Sequence, residues 1–198
     1  MKCKRFAITG GIACGKSTVS KILPDYGGIV LDTDDVAHDL EAPGGEAVPE
    51  IVRSFGDCVL SDDGSINRRV LGQIVFSNSE ALSRLNSIVH PLVVRKVSAW
   101  LDLQSKARFK AVVIPLLFES GFDTIFQWDG VFAIVCSEKE QLRRLYGRGL
   151  DDKAARARIA SQLPCALKAK KADWAIWNDS DLSTLRLEVE KALRAFSI

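Results

Sequence analysis

Eight residues near the amino terminus, Gly10-Gly11-Ile12-Ala13-Cys14-Gly15-Lys16-Ser17, are spaced as G-x-x-x-x-G-K-[ST]. That spacing suits a loop that grips phosphate. Two glycines let the backbone fold tightly, so that successive N–H groups converge on one phosphate chain. Lys16 is placed to reach the β- and γ-phosphates, and the Ser17 hydroxyl to ligate Mg²⁺. The helix expected after Lys16 adds the positive end of its dipole. The candidate nucleotide-binding residues are therefore Gly11, Ile12, Ala13, Cys14, Gly15, Lys16, Ser17 and Thr18. A second constellation is Val30-Leu31-Asp32-Thr33-Asp34, with two carboxylates at the end of an apolar run. Phosphoryl transfer to an alcohol needs a carboxylate to orient or deprotonate the hydroxyl, and Mg²⁺ takes one or two carboxylates. Asp32 and Asp34 are the candidates. The bland alternative is that Asp34 or Asp35 caps the next helix.

Further groups could hold a phosphorylated acceptor. Arg68 and Arg69 suit bidentate contact with phosphate. His90, one of two histidines, precedes Pro91, so it is expected in extended geometry where a helix breaks or kinks. From Glu138 to Lys171 the chain is basic, with Arg143, Arg144, Arg148, Arg156 and Arg158 among its cations. A mobile flap over nucleotide phosphates needs such a composition, and a solvated helix face would also have it.

These groups need a scaffold. Phe6–Thr9, Ile29–Asp32, Ala111–Pro115, Val131–Cys136 and Trp174–Trp177 are short apolar runs without polar alternation. They read as buried parallel strands, with helical patterns between them. The fold class expected is α/β: a doubly wound, five-stranded parallel sheet, with ligands at the strands' carboxyl ends. Between Asp32 and Ala111 the chain makes a long helical detour. The stretches expected are Asp35–Glu41, Glu46–Phe55, Arg68–Phe76, Glu80–Val89 and Leu92–Leu103, interrupted by a turn at Asp62-Asp63-Gly64.

Length and composition fit one domain of 198 residues. A net charge of +2 does not argue for a nucleic-acid or membrane-surface partner, and neither is expected. No apolar run approaches a bilayer span, and the basic start is too short for a signal peptide. Cys3, Cys14, Cys58, Cys136 and Cys165 are odd in number, scattered, and contain no C-x-x-C pair. They are expected to be reduced thiols in a cytoplasmic protein, with Cys14 a small loop filler. No Asn-Lys-x-Asp guanine-reading motif and no Leu-Ser-Gly-Gly-Gln signature occurs, which lowers the case for a switch or a motor.

Taken together, the motifs resemble the dephospho-coenzyme A kinase family over nearly the whole chain. The matching residues are Ile8 to Ile12 with Gly15 to Thr18, then Asp32-Thr33-Asp34 with Val36-Ala37 and Pro43-Gly44. Asn67 to Leu71, Val75-Phe76, Leu85-Asn86 and His90-Pro91 follow. Pro115-Leu116-Leu117-Phe118-Glu119, Gln141 to Leu145 with Arg148, Arg158-Ile159, Gln162, Ala172-Asp173 and Asn178 complete the ordered set.

The resemblance implies a P-loop kinase fold, and transfer from MgATP to the ribose 3′-hydroxyl of dephospho-coenzyme A. It implies that Asp34 is the base or orienting group and that Asp32 assists near the metal. Arg148, with Arg144 in reserve, would close from the lid onto developing negative charge. Arg68, His90, Leu117 and Glu119 would bind the acceptor, and Asn178 would lie near the adenine. The core would comprise residues 1–34, 110–137 and 172–198, with an acceptor-binding insertion at 35–109 and a lid at 138–171. The protein would act as a monomer or weak homo-oligomer. The family usually has glycine where this chain has Ala13, so a positive φ there would strain it by roughly 1 kcal/mol. Two other readings stand beside this one: a P-loop kinase acting on a nucleotide or nucleoside, and a non-catalytic nucleotide-binding module.

Overall fold

The computed structural model describes residues 3–76 and 78–198. In chain order it has β1 (Lys4–Gly10), α1 (Lys16–Ile22), β2 (Gly28–Asp32), α2 (Thr33–Glu41), α3 (Val48–Phe55), α4 (Arg68–Phe76), α5 (Ser79–Asp102) and β3 (Phe109–Val113). There follow α6 (Phe122–Ile125), β4 (Gly130–Val135), α7 (Glu138–Tyr146), α8 (Asp152–Ala160), α9 (Cys165–Lys171), β5 (Trp174–Trp177) and α10 (Leu182–Ala195). The contacts divide the chain into two compact units, one running up to Asp32 and from Gln104 onward, the other spanning Thr33–Leu103. Among the described residues no helix is long and apolar enough to cross a membrane.

The first unit is built on one all-parallel sheet in the order β2-β3-β1-β4-β5. All five strands lie where the apolar runs predict them, within two residues at each end. The three central strands are buried along almost their whole length, because helices cover both faces. The edge strands are not, and Ile29 on β2 and Trp177 on β5 reach solvent. Register aligns Ile8 with Val113 and Val113 with Asp32. So the carboxyl end of β2 lies along the same sheet edge as the loop that leaves β1. Beneath the sheet Phe6 stacks on Phe132, with ring centroids 4.9 Å apart, and meets Phe109 and Phe196 edge-on. Each such ring buried contributes roughly 1.5–3 kcal/mol.

The second unit is helical. Val89, Val93, Val97 and Leu101 repeat every fourth residue on α5 and are buried, the spacing of one helix face. Against that face pack α2, α3 and α4. The Asp63 carboxylate accepts from the Ser65 N–H at 2.9 Å, and Gly64 takes φ 81°, which gives the turn expected there.

Two local expectations fail here. The break at Pro91 does not occur: α5 is continuous from Ser79 to Asp102 with Pro91 inside it, and His90 is helical. Proline costs the helix one donor, and the continuous buried face on both sides of it outweighs that loss. Helix α2 starts at Thr33, directly after β2. Asp34 and Asp35 thus lie in its first turn, where the helix dipole favours negative charge.

Candidate active site

The loop after β1 is shaped by backbone requirements that only certain residues meet. Gly10 has φ 150°, and a Cβ there would come within 2.1 Å of the Ile134 carbonyl oxygen on β4. Gly15 has φ 100°, and a Cβ there would meet the Asn178 amide at 2.2 Å. Ala13 sits at φ 61°, so the left-handed conformation feared for alanine at this position is real. Its methyl is buried against Leu145 and Ala155 of the following helices, with Ile12, Leu142 and Ile159 packed around them.

Four long-range contacts hold the loop. Gln141 Nε2 donates to the Ile12 carbonyl at 2.8 Å, and the Ile12 N–H donates to Gln162 Oε1 at 2.9 Å. Arg144 Nη1 donates to the Ala13 carbonyl at 3.0 Å, and Asn178 Nδ2 to the Cys14 carbonyl at 2.8 Å. The carbonyls of Ile12, Ala13 and Cys14 are thereby drawn toward the protein. Within the described residues the amides of Ala13, Gly15 and Ser17 make no hydrogen bond. Donors left in this state need an acceptor from outside the chain, and an anion supplies one.

Lys16 Nζ donates to the carbonyls of Gly10 and Gly11, both at 2.9 Å. It caps the loop mouth that a phosphate chain would enter. Ser17 and Thr18 are exposed at the start of α1.

Two arginines of the basic segment differ sharply. Arg144 is committed: besides Ala13 it donates to the Asn178 carbonyl at 2.8 Å and to Glu140 Oε1 at 2.7 Å. Arg143 and then burial, Arg144 among the remaining partners, set the Glu140 carboxyl, and the cations hold it at about 2. Arg148 is exposed in the turn after α7, and its side chain pairs with nothing among the described residues. Asn178 is buried with its amide on the loop, a bracing position.

Glu119 follows the turn after β3. Its Oε1 accepts from Lys168 Nζ at 2.8 Å and from the Leu163 N–H at 2.9 Å. Burial pushes this carboxyl up, but Lys168 and the Leu163 N–H outweigh it, and the net shift is downward. Lys168 is wholly buried and also donates to the Pro115 carbonyl at 2.8 Å. Leu117 is wholly buried, while Leu116 beside it is exposed.

Asp34, Arg68 and His90 belong to the helical unit. Arg68 Nε pairs with Glu41 at 2.7 Å, and its Nη1 lies 3.3 Å from His38 Nδ1. Burial lowers the His90 pKa from its ordinary value. Asp32 closes β2 on the sheet edge already described.

Gln141, Gln162, Lys168, Glu41 and His38 were not singled out as site residues from the sequence. Gln141 and Gln162 enter the reading only through the family resemblance, and no local pattern marks Lys168, Glu41 or His38, because each acts on a partner far along the chain or on another helix. All five cysteines are free. Cys14, Cys136 and Cys165, scattered in sequence, cluster in space: Cys14 Sγ lies 3.3 Å from Cys136 Sγ and 3.4 Å from Cys165 Sγ.

A family model described as dephospho-CoA kinase matches residues 5–184. A dephospho-CoA kinase from Geobacillus kaustophilus is 42% identical over 191 residues, covering 94% of each chain. One from Bdellovibrio bacteriovorus is 36% identical over 96% of this chain and 95% of its own. Among solved structures, a protein from Thermus thermophilus superposes with a TM-score of 0.85 at 32% identity, covering 98% of both chains. Dephospho-CoA kinase from Campylobacter jejuni gives 0.71 at 32%, over 98% of this chain and 96% of that one. Shikimate kinase from Acinetobacter baumannii, at 0.56 and 13%, over 98% of this chain and 93% of its own, shares the fold.

Proposed function

The chain belongs to the dephospho-CoA kinase family, and on that premise we propose how its residues carry the transfer of a phosphoryl group from MgATP to the ribose 3′-hydroxyl of dephospho-coenzyme A. The products are coenzyme A and ADP, the last step of coenzyme A synthesis. The observation that carries the reading is the loop after β1. It presents the amides of Ala13, Gly15 and Ser17 without a partner among the described residues, while its carbonyls are tied back by Arg144, Asn178 and Gln141.

On entry of the triphosphate, Lys16 exchanges the Gly10 and Gly11 carbonyls for phosphate oxygens, which bind an ammonium more strongly than neutral carbonyls do. Gly11 to Thr18 wrap the phosphate chain. Ser17 and Asp32 offer a hydroxyl and a carboxylate, the hard oxygen donors that Mg²⁺ selects. No cluster of three or more His, Cys, Asp or Glu able to hold a metal occurs among the described residues. In this reading Ser17 and Asp32 would hold the ion jointly with the phosphates and water. The metal, when bound, neutralises charge on the transferring group.

Asp34 accepts or orients the proton of the 3′-hydroxyl. Arg148, exposed on the lid, reaches the charge that develops in transfer, and Arg144 serves the same end indirectly by fixing the loop. Arg68, His90, Leu117 and Glu119 form the acceptor side, and Asn178 lies toward the adenine. In this reading residues 1–34, 110–137 and 172–198 form the core, 35–109 the acceptor-binding insertion and 138–171 the lid. The free thiols suit a reducing cytoplasm, and the working state is a monomer or weak homo-oligomer.

The test is direct. The protein is incubated with MgATP and, separately, dephospho-coenzyme A, adenosine and nucleoside monophosphates, and products are read by mass. Gain of one phosphoryl group on dephospho-coenzyme A alone is expected. Preferential phosphorylation of a nucleoside monophosphate would move the chain to a different kinase specificity.

A further inference from the structure

Among the described residues, Cys14 is a thiol inside the phosphate loop with a second and a third thiol in contact with it. Its Sγ is 3.4 Å from that of Cys165, the first residue of α9, and 3.3 Å from that of Cys136, just past β4. Cys14 and Cys136 are buried, while Cys165 is half-buried and reaches solvent. Gly11 lies against the same pair: a Cβ there would meet Cys165 Sγ at 2.5 Å and Cys14 Sγ at 2.9 Å.

We propose that Cys14 and Cys165 are a redox pair, and that peroxide closes them into a reversible disulfide which pins the phosphate loop to α9. Drawing two sulfurs from 3.4 Å to the bond length of about 2 Å requires a shift of about 1.4 Å. Cys165 is the partner of choice over Cys136 because it can be reached by oxidant. It also opens a helix preceded by Pro164, whereas Cys136 is anchored to the central sheet.

The chemistry balances with hydrogen peroxide as oxidant. The Cys165 sulfur gives an electron pair to one peroxide oxygen. The S–O bond forms, the O–O bond breaks, and the departing hydroxide takes the thiol proton and leaves as water. The Cys14 sulfur then attacks Cys165 Sγ. The S–S bond forms, the S–O bond breaks, and hydroxide leaves with the Cys14 proton as a second water. Peroxide gains the two electrons that the two thiols lose, and an external dithiol returns them.

Contact with Cys14, then burial, pushes the Cys165 thiol up and favours its protonated form. Contact with Cys136 pushes Cys14 up to about 11, while Cys136 itself is held below its ordinary value by Cys14 and, against burial, by Arg144.

The functional effect of the bond rests on the kinase reading, but its formation does not. Full-length reduced protein is treated with hydrogen peroxide, alkylated, digested and mapped by mass, while turnover of MgATP and dephospho-coenzyme A is followed in parallel. A peptide joining Cys14 to Cys165, loss of most turnover, and recovery of both with dithiothreitol are expected. Cys165→Ser should keep its turnover through the same treatment, and Cys58→Ser should lose it like the parent. A Cys14–Cys136 bond, or equal inactivation of Cys165→Ser, would overturn the pairing. The cross-linked peptide with turnover intact would overturn the control of the loop. If the reduced protein shows no turnover at all, the map alone decides the disulfide, and the kinase reading falls separately.

Discussion

Arg144 donates from Nη1 to the carbonyl of Ala13 at 3.0 Å, so an arginine of α7 holds the strained residue of the phosphate loop. Its remaining donors go to Asn178 and Glu140. Such an arginine acts on loop shape, whereas Arg148 is exposed and its side chain pairs with nothing among the described residues. Arg144→Ala should cost about 1–3 kcal/mol of stability, since it leaves buried carbonyls without a donor. Arg148→Ala should leave the melting temperature unchanged and lower kcat more than nucleotide affinity. Thermal denaturation and steady-state kinetics on both variants separate the roles. The assignment fails if the two behave alike.

Lys16 exchanges two backbone carbonyls for phosphate in the proposed reaction. Lys16→Ala should reduce phosphoryl transfer by orders of magnitude. A mild loss, measured as product formed per enzyme per second, would mean that this loop does not hold the donor.

Asp34 lies in the first turn of α2 rather than at a cap. Asp34→Asn keeps the shape of the side chain and removes its basicity. Turnover should fall severely while ATP affinity, read by calorimetry, stays within a few-fold. Near-normal turnover would take Asp34 out of the proton-handling role.

Ala13 at φ 61° stores backbone strain, yet its methyl is buried on Leu145 and Ala155. Glycine would relieve roughly 1 kcal/mol of strain. It would also lose the packed methyl and gain freedom in the unfolded chain, which costs roughly as much. Ala13→Gly should therefore unfold within about 1 kcal/mol of the parent in urea. A large loss would show that methyl packing, not strain, dominates at this position.

Glu119 titrates below its ordinary value of 4.5 because, against burial, Lys168 and the Leu163 N–H hold its charged form. A depressed carboxylate pKa means that the unfolded state binds the proton more readily. The stabilisation is thus complete above pH 4.5 and is lost as pH falls through the lower, folded value. Glu119→Gln should be less stable than the parent at neutral pH, and the gap should narrow on acidification below pH 4.5. A gap that stays constant with pH would show that the Lys168 contact is not electrostatic.

Gly10, Gly15, Lys16 and Ser17 were legible because a phosphate loop is a local object: its chemistry follows from residue types at fixed spacing. The five strands were legible for the same reason, since burial on both faces writes an unbroken apolar run. Pro91 misled because its local cost is real but small beside the face of α5 made by Val89, Val93, Val97 and Leu101. Asp34 misled less: β2 passes into α2 without a loop, and the helix begins two residues earlier than expected.

Taken alone, the sequence determined the phosphate loop, the parallel α/β sheet and the family, because each is carried by spacing along the chain. The tertiary structure decided what Arg144, Asn178 and Cys14 do. Their partners lie 131, 164 and 151 residues away. The strand order β2-β3-β1-β4-β5 sets the ends of β1, β4 and β5 side by side, and no pattern along one dimension can encode such an adjacency.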